Sequence, residues 1–228
     1  MSPFFVHPSL RAIRHVFFDF ESTLVTVEGL EVLARVVEER RAERGLEDRV
    51  RELTDRAMAG GLDFGEATRI RIDALRPMRS DLAEAACAVA AALDPDAAPT
   101  LRALAARGLA VTVVSGGLRE LIGPALGSLD LPACDIACNS LLFDGDMATG
   151  MDTANPLARD GGKAEVIRAR AAASVSALVG DGANDLAARR AGAVAAFIAH
   201  VGVRHRQGVA SEADHVIHRL PELLELLP

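Results

Sequence analysis

The chain has 228 residues, of which 50% are hydrophobic and 25% are charged, and its formal net charge is -7. These proportions exclude a disordered chain, a collagen and a small disulfide-rich scaffold, and they fit one large domain or one domain with a modest insertion. An acidic chain lacks the clustered cations that sequence-independent binding to nucleic acid requires, so we expect no nucleic-acid partner.

The first part of the chain predicts one strand followed by a long helical segment. Residues 13–20 form a short β-branched and aromatic run with an acid, Asp19, at its end, which predicts a buried strand opening onto a loop. Residues 28–59 and 64–93 carry apolar residues at helical spacing and are interrupted by glycines and a proline, so they predict several helices. Pro95 and Pro99 predict a linker after these helices.

The rest of the chain alternates strands with helices, which predicts a parallel, doubly wound sheet. The predicted strands are residues 109–115, 134–138, 175–180, 194–198 and 214–217, and the predicted helices are residues 118–127, 162–173, 184–191 and 221–227. Residues 141–149 predict a hairpin with its turn at Asp144-Gly145.

These elements predict an α/β fold, in which a small all-helical cap domain is inserted after the first strand of a doubly wound parallel sheet. We expect the core domain to comprise residues 1–27 and 95–228, and the cap domain to comprise residues 28–94. Ligands of such sheets bind beyond the carboxyl ends of the strands, so the residues at those ends are the candidates for function.

The predicted strand ends carry acids, a hydroxyl group and glycines. The first strand ends at Asp19 and Glu21, the second at residues 115–117, and a later one at Asp181, with Asp185 four residues further on. Solvated acids and ordinary helix caps would explain each group taken alone. Several acids that converge on one rim need a cation to neutralise them, and hard oxygen ligands without His or Cys favour Mg²⁺.

Lys163 is the only Lys among the 25 Lys and Arg residues of the chain. It follows two glycines at the start of a predicted helix, where a compact ammonium group can neutralise both a phosphate and a carboxylate. A random surface Lys is the simpler explanation, but the absence of other lysines weakens it. The segment Ser115-Gly116-Gly117 opens the predicted helix 118–127, and its N–H groups either bind a phosphate or belong to an ordinary strand–turn–helix.

Four motifs resemble, in order and spacing, the haloacid-dehalogenase superfamily of phosphatases and, within it, the phosphoserine phosphatases. They are FFDFESTLV at 17–25, VVSGG at 113–117, Lys163, and GDGANDL at 180–186. The resemblance covers nearly the whole chain and implies a Rossmann-like core. It also implies a Mg²⁺-dependent phosphomonoester hydrolase that acts through an aspartyl-phosphate, with L-phosphoserine as the expected substrate.

The resemblance implies a role for each matching residue. Asp19 would be the nucleophile, and Glu21, which stands where the family has a second Asp, would protonate the leaving oxygen and later activate water. The Glu21 carbonyl, Asp19 and Asp181 would hold Mg²⁺, and Asp185 would ligate it or orient a water bound to it. The residues expected to bind the phosphoryl group are Ser115, Gly116, Gly117, Lys163 and Asn184.

The helical segment also resembles the cap of the phosphoserine phosphatases. Glu28 matches the Glu that meets the substrate amine. Residues 63–75 are similar to a cap helix that places Phe64 near the ligand and Arg71 on the substrate carboxylate, which an Arg fork suits. A helix-start acid and a solvated helix cation would explain each residue alone, but both in register favour an amino-acid pocket.

Glu21 is a departure from the family pattern and leaves alternatives open. One extra methylene displaces the carboxyl by more than about 1 Å, and such misplacement can be costly for catalysis. A Glu also stands here in the related phosphoserine:homoserine phosphotransferase, so phosphotransfer is one alternative. Hydrolysis of another small phosphate ester is a second, and an inactive module that binds phosphate esters is a third. The sequence predicts no oligomeric state.

Two further features concern localisation and a second metal. No apolar run approaches the roughly 20 residues of a membrane helix, the N-terminus is unlike a secretory signal, and the cysteines lack metal-ligand spacing, so we expect a cytoplasmic protein without a membrane partner.

Residues 199–208 are basic, and four nearby histidines could bind a metal, although their spacing fits no zinc template: His200, His205, His215 and His218.

Overall fold

The computed structural model describes residues 10–58, 63–129 and 135–228, except for the side chains of Met58 and Phe64. The strands are β1 (His15–Phe18), β2 (Ala110–Leu118), β3 (Asp135–Asn139), β4 (Leu141–Asp144), β5 (Met147–Met151), β6 (Ser176–Gly180), β7 (Ala196–His200) and β8 (His215–Ile217). The α-helices are α1 (Gly29–Arg41), α2 (Leu46–Met58), α3 (Phe64–Leu75), α4 (Arg79–Ala91), α5 (Ala97–Ala106), α6 (Arg119–Gly127), α7 (Gly162–Ala171), α8 (Ala183–Arg190), α9 (Gln207–Ala210) and α10 (Leu223–Leu226).

Six strands form one parallel sheet in the order β3-β2-β1-β6-β7-β8. Strand β1 lies at its centre and is buried along its whole length. Its side chains alternate between two hydrophobic clusters, because Val16 and Phe18 pack in one cluster and Phe17 packs in the other. Burial on both faces is typical of a parallel sheet covered by helices on each side, and it confirms the predicted doubly wound α/β fold.

Helices α1 to α5 connect β1 to β2, so the helical segment follows the first strand as predicted. The chain enters and leaves this segment side by side, since Thr26 N donates to Ala92 O and Asp94 N donates to Leu24 O, both at 2.9 Å. Helix α4 packs against α1 and also against α6 beside the sheet. The entry and exit points lie close to residues 28 and 94, and the division into a core domain and a cap domain stays a prediction.

Three local predictions are wrong. Pro95 lies in the connection between α4 and α5, but Pro99 does not belong to this linker, because α5 begins at Ala97. Pro99 lies in the first turn of α5, where the missing N–H leaves no hydrogen bond unmade. The hairpin turn falls at Gly145-Asp146 rather than one residue earlier, and Gly145 supplies the positive φ of 57°. Residues 115–117 do not open a helix, since they continue β2.

Two further observations concern the ends of the predicted elements. The predicted strand 134–138 is found from Asp135, and Cys134 lies outside the described residues. None of the helices in the described ranges combines the length and apolar character needed to cross a membrane.

Candidate active site

The three central strands bring the predicted residues to one edge of the sheet. Asp19 directly follows β1, Asp181 directly follows β6, and Ser115 lies near the carboxyl end of β2. The backbone N–H of Asp19 donates to Val179 O at 2.8 Å, which extends the pairing of β1 and β6 up to the acid. All three side chains are buried, because neighbouring parallel strands place their carboxyl ends side by side beneath the surrounding loops.

Lys163 lies between two acids, one directly after β1 and one in the first turn of α8. Its Nζ is 3.0 Å from Asp19 Oδ2 and 2.7 Å from Asp185 Oδ1, and all three side chains are buried. Burial lowers the pKa of Lys163, but Asp185 and Asp19 together outweigh that effect and raise it, so the amine stays charged. Its position at the start of α7 thus supplies a fixed positive charge beside Asp19.

Asp185 is held from two sides at the start of α8. One carboxylate oxygen meets Lys163, and the other accepts a hydrogen bond from the backbone N–H of Gly182 at 2.9 Å. A Cβ at Gly180 would lie 2.4 Å from Asp185 Oδ2, so only glycine lets this carboxylate reach its place. The glycines of the motif at 180–186 therefore make room for the acid and hold it.

Three carboxylates could hold a divalent metal ion. Ligand oxygens of Asp19, Asp181 and Asp185 lie within 4.8 Å of one another, and oxygen ligands of this kind suit Mg²⁺. Asp181 Oδ2 is buried and accepts no hydrogen bond from the described residues, although Arg206 Nη1 lies 3.1 Å away as an ion-pair partner. Burial raises the pKa of Asp181 well above its ordinary value, with Arg206 opposing and the neighbouring acids adding to the shift. A cation here would relieve that cost, so the residues fit a divalent ion.

The histidines take no part in this cluster. Among the described residues, no group of three potential metal ligands includes a histidine. His200 is buried behind the loop that follows β1, with Nδ1 3.4 Å from the carbonyl oxygen of Ser22. Burial lowers the pKa of His200, which favours its neutral form.

The Glu21 carboxyl fits between two glycines. Its Oε1 accepts a hydrogen bond of 2.6 Å from the backbone N–H of Gly29 at the start of α1. A Cβ at Gly29 would lie 2.6 Å from Oε1, and a Cβ at Gly117 would lie 3.1 Å from Oε2. Burial, assisted by Glu28 and Asp19, raises the pKa of Glu21 to about 8. The longer side chain is therefore accommodated, and in the metal-free protein it is mainly protonated at neutral pH.

A small pocket collects most of the predicted phosphate-binding groups. Ser115 Oγ accepts a hydrogen bond of 3.1 Å from Gly117 N, and Gly116 O accepts one of 2.9 Å from Asn139 Nδ2. Gly116 and Gly117 thus lie near the end of β2. Because α6 begins at Arg119, the N–H groups at its N-terminus are not those of the two glycines. The pocket is lined by Asp19, Glu21, Ser115, Gly116, Lys163, Gly182, Asn184 and Asp185.

A second pocket lies beside the first and includes the residues predicted to contact an amino acid. Arg71 is buried, so it is not the solvated helix cation of the simpler explanation. Glu28 does directly precede α1, but its side chain is buried and makes no capping hydrogen bond to the described residues. The two pockets share Glu21 and Gly116, which form the boundary between them. Phe64 begins α3, but its side chain lies outside the described part of the structure. The second pocket is lined by Glu21, Glu28, Leu30, Thr54, Thr68, Arg71, Gly116, Gly117 and Leu118.

Several residues of the site were not predicted from the sequence, and two of these contact its acids. Ser22 adopts a positive φ of 52° and donates from its hydroxyl to Glu28 Oε1 at 2.6 Å. Arg206 ion-pairs with Asp181 and lies 3.6 Å from Glu28 Oε1. The basic character of residues 199–208 was the available signal for Arg206, but the candidate ligands considered in this segment were its histidines and not its arginines.

We expect Lys163→Arg to lose at least about 100-fold in turnover of p-nitrophenyl phosphate, nearly as much as Lys163→Ala. One preorganised charge at the transition state is worth about that factor, and Arg would carry its charge in a different position. The ammonium fills the buried space between Asp19 and Asp185, where a planar guanidinium has no room. The reverse swap Arg168→Lys on the exposed face of α7 is the matched control and should change nothing. A fully active Lys163→Arg variant would reduce Lys163 to a structural cation.

Comparison with known proteins places the chain in a family. The model of the family described as haloacid dehalogenase-like hydrolase matches residues 16–190. The chloroplastic phosphoserine phosphatase of Arabidopsis thaliana is 34% identical over 221 residues, which cover 95% of this chain and 72% of that protein. The phosphoserine phosphatase of Homo sapiens is 31% identical over 227 residues, which cover 96% of each chain.

The fold agrees with these sequence matches. A solved structure of a substrate-bound phosphoserine phosphatase complex superposes with a TM-score of 0.80 at 26% sequence identity, and the match covers 95% of this chain and 99% of that chain. The shared order of motifs, the parallel sheet and the sequence identity over almost the full length agree with one another. The chain therefore belongs to the haloacid dehalogenase-like hydrolases, as a phosphoserine phosphatase-like member of that family.

Proposed function

We propose that this protein is a Mg²⁺-dependent phosphoserine phosphatase that converts L-phosphoserine to L-serine and phosphate through an aspartyl-phosphate on Asp19. The observation that carries the proposal is the pair of adjoining pockets. One contains a buried Asp beside a buried Lys, and the other contains a buried Glu and a buried Arg, with Glu21 between them. A phosphate ester that also bears an ammonium and a carboxylate would complement these pockets, with its phosphate in the first and its two other charged groups beside the Glu and the Arg of the second.

In the first pocket, Asp19 attacks the phosphorus atom and takes up the phosphoryl group. Its Oδ1 accepts a hydrogen bond of 2.8 Å from Phe20 N, and Lys163 holds Oδ2, so the carboxylate is oriented before the substrate arrives. Lys163, Ser115 and Asn184 bind the phosphoryl oxygens and stabilise the charge that spreads over them. Asp19, Asp181, Asp185 and the Glu21 carbonyl would hold Mg²⁺, which would supply further neutralisation of that charge.

Glu21 gives a proton to the serine oxygen as it leaves, and then takes one from the water that hydrolyses the aspartyl-phosphate. Burial raises the pKa of the Glu21 carboxyl, which favours the protonated form that the first of these steps requires. The hydrogen bond from Gly29 N orients the group at the boundary between the pockets, where the ester oxygen would lie.

In the second pocket, Glu28 and Arg71 recognise the amino-acid part of the substrate. Glu28 is buried and receives the Ser22 hydroxyl on Oε1, and a substrate ammonium would add a charge-assisted hydrogen bond to this carboxylate. Arg71 offers its guanidinium to the substrate carboxylate. We place the reaction in serine formation, because hydrolysis of L-phosphoserine releases serine, and in the cytoplasm, where the free cysteines Cys87 and Cys138 would stay reduced.

Arg71→Ala tests the proposed substrate directly. We expect KM for L-phosphoserine to rise by about 10- to 100-fold, as the loss of a charge-assisted pair worth ~1.5–3 kcal/mol implies. Hydrolysis of p-nitrophenyl phosphate, which has no α-carboxylate, should barely change. Arg69→Ala is the matched control, because Arg69 is exposed on the same helix and pairs with Asp73, which is also exposed.

The outcome separates the competing functions. Equal losses on both substrates would remove the amino-acid assignment and favour another small phosphate ester. Assays with added homoserine, followed by detection of phosphohomoserine, test the phosphotransferase alternative. A protein without Mg²⁺-dependent turnover of any ester, with EDTA as the negative control, would be an inactive binding module.

A further inference from the structure

Arg71 is a buried cation, and its hydrogen-bond acceptors within the described residues are all neutral. Its Nε donates to Ala67 O at 3.0 Å, its Nη1 to Thr54 Oγ1 at 2.8 Å and its Nη2 to Thr68 Oγ1 at 2.9 Å. Both threonines and the arginine are at most 4% exposed. Among the residues that the structure describes, no carboxylate forms an ion pair with Arg71. This is unusual, because a buried guanidinium is normally paired with an acid.

The donor count leaves a fork of two N–H groups. A guanidinium has five N–H donors, and these three hydrogen bonds use the one on Nε and one on each terminal nitrogen. Within the described residues, one N–H on Nη1 and one on Nη2 have no acceptor, and two such N–H groups can bind a carboxylate in a bidentate manner. The second pocket, which Arg71 lines, is where such a carboxylate would lie.

The hydroxyl of Thr54 is itself held in place. Its Oγ1 donates to Val50 O at 3.0 Å, one turn earlier in α2, so a lone pair faces the Arg71 guanidinium. Thr54 lies on α2 whereas Thr68 and Arg71 lie on α3, and the bond from Nη1 to Thr54 therefore fixes the guanidinium against both helices. An Arg side chain loses considerable rotamer entropy when it is fixed, and two hydroxyls fix it before any ligand binds.

We propose that Thr54 and Thr68 are positioning residues that determine specificity for a carboxylate-bearing phosphate ester, by holding Arg71 with neutral acceptors and leaving its charge for the substrate. This inference rests on the proposed function and extends it to residues that touch Arg71 rather than the substrate. An acid at either position would satisfy Arg71 and compete with the substrate carboxylate, whereas a hydroxyl orients the guanidinium without neutralising it.

The test uses Thr54→Val and Thr68→Val, which keep the side-chain shape and remove the hydroxyl, singly and together in the full-length enzyme. The substrates are L-phosphoserine and phosphoethanolamine, which keeps the ammonium but lacks the carboxylate. We expect each single variant to raise KM for phosphoserine by about 3- to 10-fold and the double variant by about 10- to 100-fold, as for the loss of one and of two hydrogen bonds of typical strength. The value of kcat, and both constants for phosphoethanolamine, should change by less than about two-fold.

Conservative rescue and a matched control complete the design. Thr54→Ser and Thr68→Ser restore the acceptor and should return the parental ratio of kcat/KM for the two substrates. Thr149→Val makes the same change at an exposed position of the hairpin and should leave the ratio unchanged. If a valine variant fails to fold by circular dichroism, Thr54→Ala or Thr68→Ala replaces it, because alanine adds no methyl group against the guanidinium.

The possible results separate this inference from the proposed function. Losses that are equal on both substrates, or valine variants that keep the parental ratio while Arg71→Ala loses it, would overturn the positioning role and leave the proposed function standing. A parent enzyme that prefers phosphoethanolamine to phosphoserine would overturn the proposed function itself, and this inference with it.

Discussion

Asp19→Asn should lower turnover of L-phosphoserine to the background rate while the protein stays folded. The amide keeps the size of the carboxylate and can still accept the hydrogen bond from Phe20 N, and Lys163 keeps Asp185 as its ion-pair partner. What is lost is the oxyanion that attacks phosphorus, and no covalent intermediate can form without it. Steady-state rates and circular dichroism measure the two effects separately.

Beryllofluoride provides a readout that does not depend on turnover. It mimics an aspartyl-phosphate, so it should bind the parent in the presence of Mg²⁺ and fail to bind the Asp19→Asn variant. Asp73→Asn, at an exposed position of α3, is the matched control and should bind it as the parent does. A variant that keeps more than a few per cent of parental activity would show that another group is the nucleophile.

The second large effect is expected for Glu21→Gln, which should slow hydrolysis of L-phosphoserine by ~10²–10⁴-fold, the range typical of a lost acid–base group. Glutamine can still accept from Gly29 N through its carbonyl oxygen, and it has the same length between Gly29 and Gly117. It cannot give a proton to the serine alkoxide. A p-nitrophenolate group leaves without such help, so the first step with p-nitrophenyl phosphate should suffer much less.

Burst kinetics with p-nitrophenyl phosphate reveal the second role of Glu21. Without a base to activate water, the aspartyl-phosphate should accumulate, and a burst of one p-nitrophenolate per enzyme should precede a slow steady state. Glu21→Asp tests the side-chain length. Activity should fall if the space between Gly29 and Gly117 is matched to Glu, and it should rise if the extra methylene misplaces the carboxyl group. Parental hydrolysis of phosphoserine by Glu21→Gln would assign the proton to another group.

The pH profile carries an independent signature of the same residue. Burial, with Glu28 and Asp19, raises the pKa of Glu21 to about 8 in the metal-free protein, and a cation bound nearby would lower it. A general acid must be protonated, so kcat/KM for phosphoserine should fall as the pH rises through that pKa, at or below about 8. The alkaline limb should be absent in Glu21→Gln.

Local patterns along the chain were sufficient for the fold class and for the residues at the strand ends. The buried run before Asp19 and the alternation of strands with helices after residue 109 predict a parallel sheet, because each element is recognised from neighbouring residues. Once the sheet is parallel, Asp19 and Asp181 must share an edge. The same local reasoning failed at Pro99 and at residues 115–117, where proline in a first turn and glycine in a strand are unusual but permitted by their surroundings.

The sequence by itself determined the α/β fold, the family and the acids, lysine and glycines at the strand ends, since these follow from short motifs and their order. Only the tertiary structure decided what surrounds them. Arg206 lies 3.6 Å from Glu28 although the two residues are far apart in the sequence. The Glu21 side chain fits because Gly29 and Gly117 flank it. Thr54 reaches Arg71 from another helix. Such contacts depend on how distant elements pack, and no periodicity or local spacing encodes which side chains will face one another.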